Sequence, residues 1–287
     1  MAAGISSVGI VGAGTMGQGI AEICAVSGYR VLLFDVNENV LQKAKQGIAA
    51  DLVRLEEKGK LTAEQKTSAL ERITYCESIQ EVKADLIIEA VVENLPVKQD
   101  LFRELELSNG PDAILASNTS SLSVTQIGKD LTHPNRFAGL HFFNPAYVMK
   151  LVEIVEGPST DSVIVGRLRE FCVSLGKQAV LAKDSPGFIV NRVARLYYVE
   201  ALKIAEEGIA DFATIDKLMR GAGFRMGPFE LMDLIGIDTN FAVTESIYRA
   251  FNETPKFRPS PIQKQKVEAG ELGRKTGKGF YDYTSEK

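Results

Sequence analysis

Through the first 180 or so residues the hydrophobic positions alternate between short uninterrupted runs and stretches at helical spacing. The runs at 8–11, 31–35, 86–90, 113–116, 137–142, 151–155 and 178–182 read as strands, and 16–28, 37–58, 97–107 and 161–175 as helices. Apolar runs this short suit strands buried on both faces, and their alternation with helices predicts βαβ units in a largely parallel sheet. After Lys183 the pattern changes. Asp184 and Ser185 are potential caps, and Pro186 suits the first turn of a helix. Ile189, Val193, Leu196 and Tyr197 then recur on one helical face. Further helices are expected around 215–219, from Pro228, and from Asp238 with Phe241, Ile247, Tyr248 and Phe251 inward. The expectation is an α/β domain over residues 1–184 followed by an all-α domain over 185–287.

Composition narrows the class. Of 287 residues, 45% are hydrophobic and 24% charged, ordinary for a globular protein with a full core. A net charge of −4 argues against general binding to nucleic acid or an anionic membrane. Cys24, Cys76 and Cys172 are odd in number and widely spaced, which reads as reduced, mostly buried thiols. With only His133 and His141 and no CxxC pair, no metal centre is expected. No leader precedes the strand at Val8, and no apolar run approaches the roughly 18 residues of a membrane span, so a cytoplasmic protein is expected.

Gly12-Ala13-Gly14-Thr15-Met16-Gly17 follows the first strand and opens a helix. Its glycines suit a tight turn, close backbone approach to a pyrophosphate, and helix–strand packing, while the helix N-terminus offers free N–H groups. Asp35 ends the second strand, 23 positions after Gly12, where a carboxylate accepts hydrogen bonds from ribose hydroxyls and repels a 2′-phosphate. Together these predict a Rossmann-type domain that prefers NAD to NADP. The tail Gly273-Arg-Lys-Thr-Gly277-Lys278-Gly279 is not a P-loop, because its spacing is wrong and Gly279 replaces the magnesium-binding hydroxyl.

Taking a hydroxyl proton while a nicotinamide takes the hydride suits a histidine. His141 ends the strand at 137–142, where strand carboxyl ends border a cofactor crevice, whereas His133 reads as a surface loop residue. Spacing alone leaves a structural role for His141 equally open. Glu153 lies among Leu151, Val152, Ile154 and Val155, so it either pairs with a buried partner or faces solvent on an edge strand. Spacing does not choose.

The chain resembles the L-3-hydroxyacyl-CoA dehydrogenase family, in particular its short bacterial 3-hydroxybutyryl-CoA members, from Val8 through Tyr283. The matching motifs are Ala-Val-Val-Glu-Asn (90–94), Ser-Asn-Thr-Ser-Ser-Leu (117–122), Gly-Leu-His-Phe-Phe-Asn-Pro (139–145), Lys-Asp-Ser-Pro-Gly-Phe-Ile-Val-Asn-Arg (183–192), Gly-Pro-Phe-Glu-Leu-Met-Asp (227–233) and Gly-Arg-Lys-Thr-Gly-Lys-Gly-Phe-Tyr (273–281). The resemblance implies that His141 is the general acid/base and Glu153 its partner, with Ser120 and Asn191 bonding the reacting oxygen or holding the histidine. It places Glu93, Lys98, Asn118, Asn144 and Lys275 around the NAD ribose and nicotinamide, and substrate where two domains meet. It also implies a 3-hydroxyacyl-CoA or 3-ketoacyl-CoA substrate and a homodimer formed through the helical domain. Arg54 and Lys58, with Lys60, form a basic end to the second helix, and Lys58 matches a CoA-contacting lysine; Asp51 departs from the family's hydroxyl residue there. Tyr147, Met149, Phe229 and Met232 line an acyl pocket or belong to the core. The competing readings are a relative acting on a free hydroxy or sugar acid, and a non-catalytic NAD-binding protein resembling a lens crystallin. In related β-hydroxyacid dehydrogenases a catalytic lysine precedes an asparagine by four; here that position is Gly187.

Overall fold

The computed structural model describes residues 4–284. The chain divides into two compact units, one running to Ser185 and the other beginning at Pro186. The first unit is built on eight strands: β1 (Ser7–Val11), β2 (Arg30–Phe34), β3 (Ile73–Tyr75), β4 (Leu86–Glu89), β5 (Ile114–Ser117), β6 (Phe137–Phe142), β7 (Leu151–Glu156) and β8 (Gln178–Lys183). Its helices are α1 (Thr15–Val26), α2 (Glu38–Glu57), α3 (Ala63–Glu71), α4 (Leu95–Ser108), α5 (Val124–Ile127) and α6 (Ser162–Ser174).

The strands form one sheet in the order β3-β2-β1-β4-β5-β6-β7-β8. All neighbours are parallel except β6 and β7, which run antiparallel. The strand order reverses beside β1, and at such a switch point in an open α/β sheet the carboxyl ends leave a crevice. β1, β4, β5 and β6 are buried along their whole length, as strands covered by helices on both faces must be. The core runs through Val8, Ile10, Ile20, Leu33, Ile48, Ile88 and Phe171, with Cys24 and Cys172 inside it as free thiols; Cys76 is also buried and free.

In this unit the predicted strands and helices are present with shifts of a residue or two, and one further strand and two further α-helices occur. β3 has one buried residue in three, too short for an apolar run. α3 buries only Ala69, so it carries no apolar stripe; it starts on a reciprocal capping box between Thr62 and Gln65. α5 spans one turn.

The second unit consists of α7 (Val190–Glu206), α8 (Phe212–Gly221), α9 (Pro228–Ile235), α10 (Ile237–Ala250) and α11 (Pro261–Glu268). Its core packs Tyr198, Leu202, Ile215, Phe229 and Met232, so Phe229 and Met232 are core residues. Four expectations are corrected here. α7 begins at Val190 and not at Pro186, because Gly187 and Phe188 adopt left-handed backbone (φ 74° and 48°), which no helix can include. Asp184 does not cap α7; its carboxylate accepts from Ser123 Oγ and from the N–H groups of Val124 and Thr125, at the start of α5. The inward face of α7 is Tyr198, Ala201 and Leu202 with Arg195, while Val193 is 69% exposed. In α10 the buried positions are Ile237, Asn240, Thr244 and Ile247, with Phe241, Tyr248 and Phe251 half-buried. Arg195 explains both shifts. Its guanidinium is buried without a carboxylate and donates to Asn240 O, Asn240 Oδ1 and Thr244 Oγ1, which draws polar faces of α7 and α10 inward.

The glycine-rich tail closes on a carboxylate. Asp233 accepts from Phe280 N–H (2.9 Å), Tyr281 N–H (3.0 Å) and Tyr283 OH (3.0 Å). A Cβ at Gly273 would lie 2.3 Å from Asp233 O, so only glycine admits the wrap. α11 was not legible in the pattern, since it buries only Gln263.

Candidate active site

The crevice edge of the sheet carries the glycine loop, Asp35, Asn118 and His141. β1 turns at Gly12, whose φ is 101°, and a Cβ there would meet Ala90 O at 2.5 Å. A Cβ on Gly17 would sit 1.7 Å from Gly12 O, which fixes the close packing of α1 on the turn. Gly14 has nothing within 4 Å of its Cβ position, so that side of the loop is open to a ligand. α1 starts there with no side-chain cap and no acidic residue in its first turn, leaving the N–H groups around Thr15, Met16 and Gly17 for an anion. Asp35 follows β2 and accepts from Ala13 N–H (2.8 Å) and Asn37 N–H (2.9 Å), holding a carboxylate at the loop. These features fit a dinucleotide: an open glycine, a bare helix N-terminus for pyrophosphate, and a half-exposed carboxylate for ribose.

His141 and Glu153 occupy directly opposed positions of β6 and β7. His141 Nδ1 lies 2.8 Å from Glu153 Oε2, with the histidine 5% exposed and the glutamate fully buried. A carboxylate on Nδ1 fixes the orientation of the ring and favours the tautomer that carries its proton on Nδ1. Phe143 stacks at a tilt on the imidazole, 4.4 Å between centroids. Glu153 is not a solvent-facing edge residue.

Next to this pair, the turn after β5 is held from several sides. Asn118 Oδ1 accepts from Phe142 N–H (2.8 Å), and Asn118 N–H donates to Glu89 O (2.8 Å). Glu93 accepts from Thr119 Oγ1 (2.5 Å), from the N–H groups of Ser120 and Ser121 (both 3.1 Å) and from Ser121 Oγ (3.1 Å). Burial raises the Glu93 carboxyl, but Lys98 and these donors outweigh it and hold the group below the ordinary range. Lys98 is 1% exposed, and its ammonium lies between Glu89 (2.5 Å) and Glu93 (3.2 Å). Glu89 was missed from sequence, although a carboxylate inside an apolar strand is the same signal that marked Glu153.

Asn144 is exposed and precedes a cis-Pro145. It lines a cavity of about 450 Å³ with Gly14, Gln18, Glu22, Asp51 and Tyr147. Glu22 is 2% exposed and its Oε2 has no hydrogen-bond partner. Burial first, and Asp51 second, push this carboxyl up to about 7. Arg54 is exposed and paired with Asp51 (3.0 Å), and Lys58 caps the end of α2 in solvent. His133 is a surface residue beside Glu106. In the second unit Asn191 is the second residue of α7. Lys275 donates to both oxygens of Asp238, at 2.6 and 2.7 Å. Among the described residues no cluster of His, Cys, Asp and Glu could hold a metal ion, and no helix is long and apolar enough to cross a membrane.

Residues 7–185 match the 3-hydroxyacyl-CoA dehydrogenase NAD binding domain family, and residues 187–283 match the 3-hydroxyacyl-CoA dehydrogenase C-terminal domain family. The chain is 48% identical over 285 residues to 3-hydroxyadipyl-CoA dehydrogenase of Escherichia coli (strain K12), covering 99% of this chain but only 60% of that protein's length. It is 43% identical over 288 residues to the mitochondrial hydroxyacyl-coenzyme A dehydrogenase of Mus musculus, covering 97% of this chain and 91% of that one. Among solved structures, (S)-3-hydroxybutyryl-CoA dehydrogenase from Ralstonia eutropha superimposes with a TM-score of 0.93 at 42% identity, over 98% of this chain and 99% of that chain. With both of its units matched in order, the chain belongs to the 3-hydroxyacyl-CoA dehydrogenase family, and its eight-stranded unit is that family's NAD-binding domain.

Proposed function

We propose that this protein interconverts an (S)-3-hydroxyacyl-CoA and its 3-ketoacyl-CoA, with the four-carbon 3-hydroxybutyryl thioester as preferred substrate. The observation that carries the reading is the buried His141–Glu153 pair at the carboxyl edge of a sheet whose first turn is shaped for a dinucleotide. Bound NAD supplies the hydride acceptor for the oxidation.

The chain's own residues handle the proton. His141 Nε2 removes the 3-hydroxyl proton in oxidation and returns it to the keto oxygen in reduction. Glu153 holds Nδ1 protonated, keeps the ring oriented, and stabilises the imidazolium that forms. Ser120 hydrogen-bonds the reacting oxygen, and Asn191 keeps the role that the family resemblance gives it. Asp35 binds the adenosine ribose, the N–H groups at residues 13–17 bind the pyrophosphate, and Glu93, Asn118, Asn144 and Lys275 serve the ribose and nicotinamide. Lys98, paired with Glu93, serves the same part of the cofactor. Arg54 and Lys58 meet the CoA phosphates at the exposed end of α2.

A second copy of the chain is expected to pack on the helical unit, whose exposed apolar side chains include Val193, Leu218 and Phe224. Two relatives differ in the acyl group that their names specify, hydroxyadipyl in one and hydroxybutyryl in the other. The discriminating experiment is therefore NADH consumption with acetoacetyl-CoA, 3-oxoadipyl-CoA and free acetoacetate. The reading predicts turnover with the thioesters alone, fastest with acetoacetyl-CoA. Turnover of free acetoacetate at a comparable rate would contradict it.

A further inference from the structure

Glu89 and Lys98 are both buried, and a buried ion pair is a poor way to obtain stability, because apolar residues of the same volume do as well or better. What the pair does provide is a fixed arrangement of directional bonds. Glu89 Oε1 accepts from Lys98 Nζ (2.5 Å) and from Val91 N–H (2.7 Å), and its Oε2 accepts from Ser117 Oγ (2.6 Å). Ser117 Oγ in turn accepts from Thr119 N–H at 3.2 Å. Lys98 bonds onward to Glu93, and Glu93 gathers Thr119, Ser120 and Ser121. At the other end, Val91 follows Ala90, whose carbonyl backs directly onto Gly12. The network therefore connects the turn behind the dinucleotide loop with the turn that carries Ser120. Of its charged members, Glu89 ends β4, Glu93 lies in the turn that follows and Lys98 is in the first turn of α4, all at or beyond the carboxyl end of that strand.

We propose that Glu89 is a positioning residue for the reaction, acting through Lys98 and Glu93 to hold the Ser120 turn in its reactive geometry. The inference rests on the reading of Ser120 as a contact of the reacting oxygen. Misplacing a reacting contact by about 1 Å can cost on the order of 10²-fold in rate, so Glu89→Gln, which keeps the shape and removes the charge, is expected to lower kcat by roughly 10- to 100-fold.

The test is a double-mutant cycle in the full chain, with acetoacetyl-CoA and NADH: wild type, Glu89→Gln, Ser120→Ala and the double variant, each with its Tm. If Glu89 works through Ser120, its substitution costs little further kcat once Ser120 is already alanine. An equal fold-loss of kcat in both backgrounds, or a loss of Tm with kcat unchanged, overturns the proposal. Should Glu89→Gln fail to fold, Glu89→Gln with Lys98→Met leaves no unpaired buried lysine and takes its place in the same cycle. An inactive wild type would instead overturn the proposed activity, which keeps the two failures distinct.

Discussion

His141 and Glu153 face each other across the one antiparallel pairing of an otherwise parallel sheet, Nδ1 to Oε2 at 2.8 Å. The reversal of direction at β7 brings this about. A strand running back beside β6 places its side chain directly opposite the histidine, and both are buried. Glu153→Gln keeps the volume but neither stabilises an imidazolium nor secures the tautomer. Its kcat is expected to fall roughly 10²-fold, at the lower end of the contribution of a positioned acid–base, with NADH affinity little changed. Steady-state kinetics beside a fluorescence titration of NADH would check this; near-normal kcat would remove Glu153 from the mechanism.

In the proposed function Asp35 meets the adenosine ribose, where its charge repels a 2′-phosphate, and its bond to Ala13 N–H holds the carboxylate at the loop. Wild-type enzyme is therefore expected to prefer NAD over NADP strongly in kcat/KM. Asp35→Asn should reduce that preference by at least about tenfold, the loss of a single charged contact of roughly 1.4 kcal/mol or more. A preference unaltered by the substitution would show that another group reads the ribose.

Glu22 gives the fold a pH dependence. Its folded-state carboxyl, raised to about 7 by burial and by Asp51, keeps a proton that the unfolded chain has already released. That contribution to stability is complete below the ordinary carboxylate range and is lost as pH rises from there to about 7. Glu22→Gln should remove this slope. Its Tm is expected to exceed that of wild type by a few degrees near pH 8 and to match it near pH 5. Parallel thermal melts at the two pH values decide the matter, and equal Tm differences at both would rule out Glu22 as the source.

The parallel sheet, the dinucleotide loop and the strand bearing His141 were legible because each rests on local pattern: apolar runs, glycine spacing, a carboxylate at a strand end. The His141–Glu153 pair was not decided by spacing, since nothing local says that β7 runs antiparallel to β6. Glu89 and Lys98 meet across nine residues and a helix turn, so the buried carboxylate in the apolar strand did not reveal its partner. The start of α7 was hidden by the left-handed pair Gly187–Phe188, because a phenylalanine at φ 48° is held by its surroundings and not by propensity. The inward faces of α7 and α10 followed the buried Arg195 network, which runs against the rule that the apolar stripe points inward.

The most direct test of the central claim is turnover of acetoacetyl-CoA and NADH by His141→Gln compared with wild type. The account predicts a folded variant that binds NADH normally and loses about 10²- to 10⁴-fold in kcat, the range for removing a positioned acid–base. A variant that binds NADH and retains near-normal kcat would contradict it.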